Sequence, residues 1–162
     1  MYSATEIARY VINYSNQINA PVSNLKLQKL LYYIQAAMLV ERGEKCFKEP
    51  ITAWAFGPVV IPVYQIYKEY GRNNIPFQKE VPKAVFDPDK MKIVFKQPQK
   101  IADSHQQIIN KVIESYQKVE DPFLLVKKTH QELPWESTDI NDEINCNVIE
   151  SYYKANPEKI YN

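Results

Sequence analysis

The chain is poor in glycine, cysteine and histidine, and each shortage closes off a class of chemistry. Its three glycines, Gly43, Gly57 and Gly71, stand singly near element boundaries, so no glycine-rich loop is available to cradle a phosphate. The two cysteines, Cys46 and Cys146, lack CxxC spacing, which leaves reduced thiols in a cytosol as the plain reading. His105 and His130 are the only histidines, and neither shares a helical face with a second ligand, so no metal site is expected. Charge of one sign is missing too: 20 Lys and Arg against 19 Asp and Glu leave a net charge of +1, without the global positive field that non-specific nucleic-acid binders use. Nor is there a long apolar run. The best stretch, Leu30 to Val40, is interrupted by Gln35 and is too short to span a bilayer, and the start from Met1 to Glu6 lacks the basic then apolar pattern of a secretory signal. A soluble cytoplasmic protein without a cofactor is the expectation.

What is present fits one globular domain, residues 1–162, with 45% hydrophobic and 24% charged residues, near the globular average. Ser3 followed by Glu6 is a capping-box pattern, and Ile7, Val11 and Tyr14 recur at helical spacing until the stretch from Asn16 to Pro21 breaks it. Ser23 or Asn24 caps a longer helix to about Arg42, with Gly43 just past its end. Leu27, Leu30, Leu31, Ile34 and Met38 form one stripe of this helix, while Tyr33, Ala36 and Val40 make its far side apolar as well. A helix greasy on more than one side belongs in the middle of a domain.

From Ile51 to Phe56 the residues suit a pleated surface, with Gly57-Pro58 as punctuation after them. Pro62 opens a helix to Tyr70 that buries Val63, Ile66, Tyr67 and Tyr70. Residues 71–100 carry four prolines and two apolar clusters, Val85-Phe86 and Ile93 to Phe95, the mark of a surface excursion with one or two short strands. Asp103 or Ser104 caps a helix through Ile109, Val112, Ile113 and Tyr116, and Asp121-Pro122 opens another that holds Leu124, Leu125 and His130. After a Pro134-Trp135 turn, Ile140, Ile144, Val148, Ile149, Tyr152 and Tyr153 mark a final helix ending near Asn156-Pro157. The fold expected is mainly α: a single compact helical domain around a central helix at about residues 24–42, with a small β element near 51–56 and a candidate second one at 85–95.

Charge cancels in total but not locally. Residues 132–153 hold Glu132, Glu136, Asp139, Asp142, Glu143 and Glu150 without a lysine or arginine, whereas residues 68–100 hold eight basic residues against four acids. Solvated faces are the default reading of such runs. Glu132 and Glu136, at helical spacing, have the residue type for acid–base work, but a solvated acidic turn explains them with fewer assumptions. Cys46 and His130 are the raw materials of a cysteine nucleophile, oriented by Glu132 or Asp121, although nothing in the sequence brings them together. Trp54 and Trp135 each stand beside a proline-containing turn, either as core pins or as interface anchors.

Three segments taken together carry a family likeness: Leu25 to Tyr33 (LKLQKLLYY), Ala53 to Val60 (AWAFGPVV) with Val63-Tyr64, and Thr129 to Trp135 (THQELPW). In order and spacing they resemble the Panacea antitoxin domain, a family that includes SocA-like antitoxins and phage-associated proteins. The resemblance implies a mostly α-helical domain that binds and neutralises a toxin encoded beside it, by protein–protein contact. For the SocA-like branch it also implies a proteolytic adapter that delivers the toxin to the ClpXP protease. Carried onto this sequence, the signature positions are Lys26, Gln28, Lys29, Tyr32 and Tyr33 on the central helix, Trp54, Gly57 and Pro58 at the strand–helix junction, and His130, Glu132, Pro134 and Trp135. None is expected to be catalytic, and the polar ones on packed surfaces need partners. Toxin specificity is expected in residues 71–100 and in the acidic surface of Glu136, Asp139, Asp142, Glu143 and Glu150. Two other readings stay open: a small hydrolase or transferase using Cys46 and His130, and a nucleic-acid-binding regulator using the lysines from Lys79 to Lys100.

Overall fold

Ser3 starts the first helix by the reciprocal device its sequence promises: its hydroxyl accepts the amide of Glu6 while the Glu6 carboxylate accepts the Ser3 amide. This helix, α1, spans Ala4–Gln17. The computed structural model describes residues 1–80 and 82–162. Ser23 caps α2, Asn24–Arg42, which ends on Gly43 in the left-handed region at φ 67°, the conformation that lets a helix close without a Cβ clash. Every residue of α2 from Lys26 to Leu39 is buried. The reason is that α1, α3 (Ile61–Tyr67), α4 (Asp103–Ser115), α5 (Phe123–His130) and α7 (Cys146–Ala155) all pack on it. A short helix, α6 (Leu133–Glu136), joins α5 to the rest.

Two short 3-10 helices, Lys68–Tyr70 and Pro157–Ile160, and two antiparallel hairpins complete the described elements. The first pairs β1, Thr52–Trp54, with β2, Gly57–Val59, in the register Thr52 with Val59 and Trp54 with Gly57. Residues 141–144 run beside β1: the Ala53 amide donates to Asp142 O at 2.9 Å, Asn141 donates to Ala53 O at 2.7 Å and Ile144 donates to Ile51 O at 2.8 Å. The second hairpin pairs β3, Lys83–Asp87, with β4, Lys92–Lys96. No described residue between Ile75 and Ile101 belongs to the buried core.

The expected mainly α fold is observed, with differences at four places. Gly57-Pro58 does not end the strand region but begins β2, and the turn falls at Ala55-Phe56. Ile66 is 51% exposed, because α3 turns only Val63 and Tyr67 inward. Neither Asp103 nor Ser104 caps α4; Ala102 holds that position without a side-chain bond. The last helix starts at Cys146, capped by Asn145, since the backbone around Ile144 is already committed to β1. Asp121 does serve the start of α5, accepting the Phe123 amide at 2.9 Å, although Pro122 occupies the cap position.

Candidate functional site

The three sequence segments that carry the family likeness come together at the β1–β2 hairpin. From α2, the Gln28 side chain accepts the Val60 amide at 2.9 Å and donates to Asn24 at 2.9 Å. One residue on, Lys29 is fully buried and donates its Nζ to Pro58 O at 3.1 Å. Burial pulls its pKa down to about 7, because a desolvated ammonium is unfavourable. From α6, Trp135 Nε1 donates to Trp54 O at 3.0 Å, and its ring stacks on His130 with centroids 3.8 Å apart. His130 also shares a backbone hydrogen bond with Ala55, yet burial lowers its pKa, so the imidazole is neutral near pH 7. Both tryptophans are half-buried; they fasten the turn to α5 and α6 and are neither wholly core nor free.

Gly57 is the point where these parts approach most closely. Its φ is 96°, and a Cβ there would lie 2.7 Å from Thr129 Oγ1 and 2.8 Å from Lys29 Cε. Both backbone sign and space demand glycine. Gly57→Ala is expected to lower unfolding free energy by about 2–4 kcal/mol through strain and overpacking. Urea denaturation of the purified variant measures this, and a loss within 0.5 kcal/mol, roughly that of a neutral surface change, would contradict it.

A second polar cluster lies on another side of α2. Glu132, 3% exposed, accepts Tyr153 OH at 2.7 Å and Tyr33 OH at 3.0 Å on Oε2, and its Oε1 has no hydrogen-bond partner among the described residues. This corrects the solvated acidic turn expected for Glu132 and Glu136: only Glu136 is exposed. Burial raises the Glu132 pKa, with the tyrosine hydrogen bonds opposing. Lys128 reaches Tyr116 OH at 2.5 Å and Tyr161 O at 2.9 Å, and lies over the rings of Tyr33 and Tyr116. Lys26, also buried, donates to Val119 O at 2.7 Å. Tyr32 completes the aromatic cluster, edge-on to Tyr33 and Tyr153.

Sequence reasoning placed Tyr116 and Tyr153 on helix faces without their polar partners, and it missed Lys128 and the role of Gln35. Gln35 seemed only to interrupt an apolar run, but its carbonyl accepts the amides of Cys46 and Phe47 at 2.9 and 3.2 Å. The available signal was the count of 12 tyrosines, more hydroxyls than a surface needs and each demanding a partner once buried.

Cys46 and His130 are not brought together. Cys46 is packed under Gln35 with its thiol pushed up to about 12 by burial, the reverse of an activated nucleophile. Among the described residues no group of three or more His, Cys, Asp or Glu is arranged to hold a metal, and no helix is long and apolar enough to cross a membrane.

Exposed chemistry lies elsewhere. Glu136, Asp139, Asp142 and Glu143 are exposed, whereas Glu150 is half-buried and paired with Lys154 at 2.6 Å. Beside them α6 and α7 bound a groove of about 490 Å³ lined by Leu133, Val148, Tyr152 and Ala155 with asparagines and Ser151 between. A smaller depression containing Glu143 and Lys45 continues it across Asn145 and Asn147.

The structure is an α-helical scaffold in which several residues of the three segments meet at an internal joint, with an acidic stretch exposed at its surface. The family model for "Antitoxin SocA-like, Panacea domain" matches residues 27–136, and the chain belongs to that family. It is similar to Antitoxin SocA of Caulobacter vibrioides, 35% identical over 72 residues, which is 44% of this chain and 38% of that protein. The match thus spans well under half of the relative's own length. No solved structure matches the chain.

Proposed function

We propose that the chain is the antitoxin of a bacterial toxin–antitoxin pair and neutralises a protein toxin by occupying it, without catalysis. The observation that carries this reading, beyond family membership, is the exposed acidic stretch from Glu136 to Glu143 beside the α6–α7 groove. At Asn141 and Asp142 its backbone is tied to Ala53 of β1, so this part of the stretch is held in place and loses little freedom on binding. A toxin that acts on RNA or nucleotides has a basic working cleft, and these acids complement it and speed its approach. Leu133, Val148 and Tyr152 offer an apolar anchor point next to the charge.

Co-expression with the adjacent reading frame tests the function: the neighbour's lethality should disappear when this chain is present, and the purified pair should associate. Rescue without association would point to transcriptional silencing and count against direct binding. The surface has its own test. Charge reversal at Glu136→Lys, Asp142→Lys and Glu143→Lys together should slow association roughly 10-fold to 100-fold at low salt, with circular dichroism unchanged. An unaltered stopped-flow rate would remove the acidic edge from the interface.

A further inference from the structure

Two basic side chains meet where the β1–β2 hairpin closes on α2 and α5, and among the described residues no acid accompanies them. Lys29 is fully buried, with Pro58 O as its acceptor. His130 gives one ring nitrogen to the Ala55 backbone, while its Nε2 is buried without a hydrogen-bond partner among the described residues. The Lys29 charge acts on His130 and disfavours a second positive charge there. The hairpin that covers both bases, residues 52–59, contains no ionisable side chain. Of the acids nearest in sequence, Glu132 is engaged by Tyr33 and Tyr153, and Glu136 is exposed. From α5, Lys128 reaches Tyr116 and Tyr161 instead, and Tyr64 of α3 meets the hairpin edge-on at Trp54.

We propose that this joint is an acid-operated latch: when Lys29 and His130 both hold a proton, the β1–β2 hairpin lifts from α2 and α5 and takes the 141–144 segment with it. Closed, the joint would hold two positive charges away from water, with no acceptor for a proton on His130 Nε2. Open, both cations reach solvent. Burial lowers the proton affinity of both bases, that of Lys29 to a pKa of about 7, so the open form binds their protons more tightly and acidification favours it. The open-to-closed ratio rises about ten-fold per pH unit while either group is taking up its proton, from 10.5 down to about 7 for Lys29 and below 6.5 for His130. The hairpin is two strands of three residues each, held by side-chain bonds from Gln28, Lys29 and Trp135. Such a unit opens locally while the helices stay packed. Asn141 and Asp142 are tied to Ala53, so the same movement unties the acidic stretch, which is firm at neutral pH and loose in acid. The latch is a property of the chain alone and does not rest on the toxin reading.

The two tryptophans, Trp54 and Trp135, both lie in the joint, so acrylamide quenching of their fluorescence reports on it alone. For the full chain the quenching constant should rise at least about two-fold between pH 8 and pH 5, as half-buried rings become exposed on local opening, with helical circular dichroism unchanged. Accessibility is the quantity to read, because a protonated imidazole stacked on Trp135 dims its emission without any opening. In NMR titration of the two histidines, His130 should take up its proton over the same pH range as the quenching change. Lys29→Met combined with His130→Asn, whose amide still donates to Ala55 O, should be equally shielded at both pH values. A wild type whose tryptophans are as shielded at pH 5 as at pH 8 overturns the proposal, and so does a folded double variant that keeps the wild-type response. Should that variant fail to fold, the wild-type titration decides: His130 protonating while the tryptophans stay shielded overturns the latch.

Discussion

Glu132→Ala is expected to destabilise the protein by about 3–5 kcal/mol, the range for breaking a buried charged network. The truncation strands two buried hydroxyls, Tyr33 OH and Tyr153 OH, whose shared acceptor is Glu132 Oε2, and opens a cavity beside the Tyr32 ring cluster. Glu132→Gln discriminates between a need for charge and a need for an acceptor. The amide oxygen still receives both tyrosines, so the loss should stay within about 1 kcal/mol at neutral pH. The sign of the pH effect follows from burial raising the Glu132 pKa. The folded state holds the proton more tightly than the unfolded chain, so this group's stabilising contribution is present at acid pH and is lost as pH rises through its folded pKa. The glutamine variant should lack that decline. Urea midpoints at pH 5 and pH 8 for the three proteins measure it, and a glutamine variant as unstable as the alanine one would show that the carboxylate charge itself is required.

Lys29 should act in the opposite direction on the alkaline side. Its folded pKa is drawn down to about 7 from the ordinary 10.5, so between those values the unfolded chain binds the extra proton and stability rises with pH, by at most about 1.4 kcal/mol per unit. Lys26 and Lys128, also lowered by burial, push the same way. Above pH 10 the buried tyrosines Tyr32, Tyr33, Tyr116 and Tyr153, all raised by burial, reverse the trend, because the unfolded chain sheds their protons first. Wild type should therefore be most stable near the alkaline end of the range below 10. Lys29→Met removes the titrating group while filling most of its volume, and it gives up the bond to Pro58 O, worth about 1 kcal/mol. The difference between the two proteins should change steadily from pH 7 to pH 9 in the sense that wild type gains. Parallel stability curves across that window would mean that the buried ammonium is not depressed.

Local signals made α1 and α2 legible from the sequence, since the Ser3–Glu6 box, the Ser23 cap and Gly43 each act within a few residues. The short strands near 85–95 were visible for a similar reason: apolar clusters between prolines need no distant partner. The errors lie where distant parts decide. Gly57-Pro58 looks like a turn, but the glycine is there because Lys29 and Thr129 crowd it from α2 and α5. Ile140 and Ile144 share helical spacing with α7 by coincidence, while Ile140 lies exposed in a turn and the Ile144 amide donates to Ile51 O beside β1. Glu132 sits in an acidic run that reads as solvated, and only its partners Tyr33 and Tyr153, from opposite ends of the chain, show it to be buried. Among the positions carried by likeness, Gln28, Lys29, Trp54, Gly57, His130 and Trp135 form a joint only when the three segments meet.

The burial of α2 on all sides has a consequence for how the protein comes into being. Its neighbours are drawn from residues as early as Ala4 and as late as Ile160, so during synthesis this deeply buried helix leaves the ribosome long before its last cover does. Until α7 arrives the nascent chain displays a sticky rod, which invites chaperones and proteases and makes any premature stop upstream of Cys146 a degradation substrate rather than a shorter working protein.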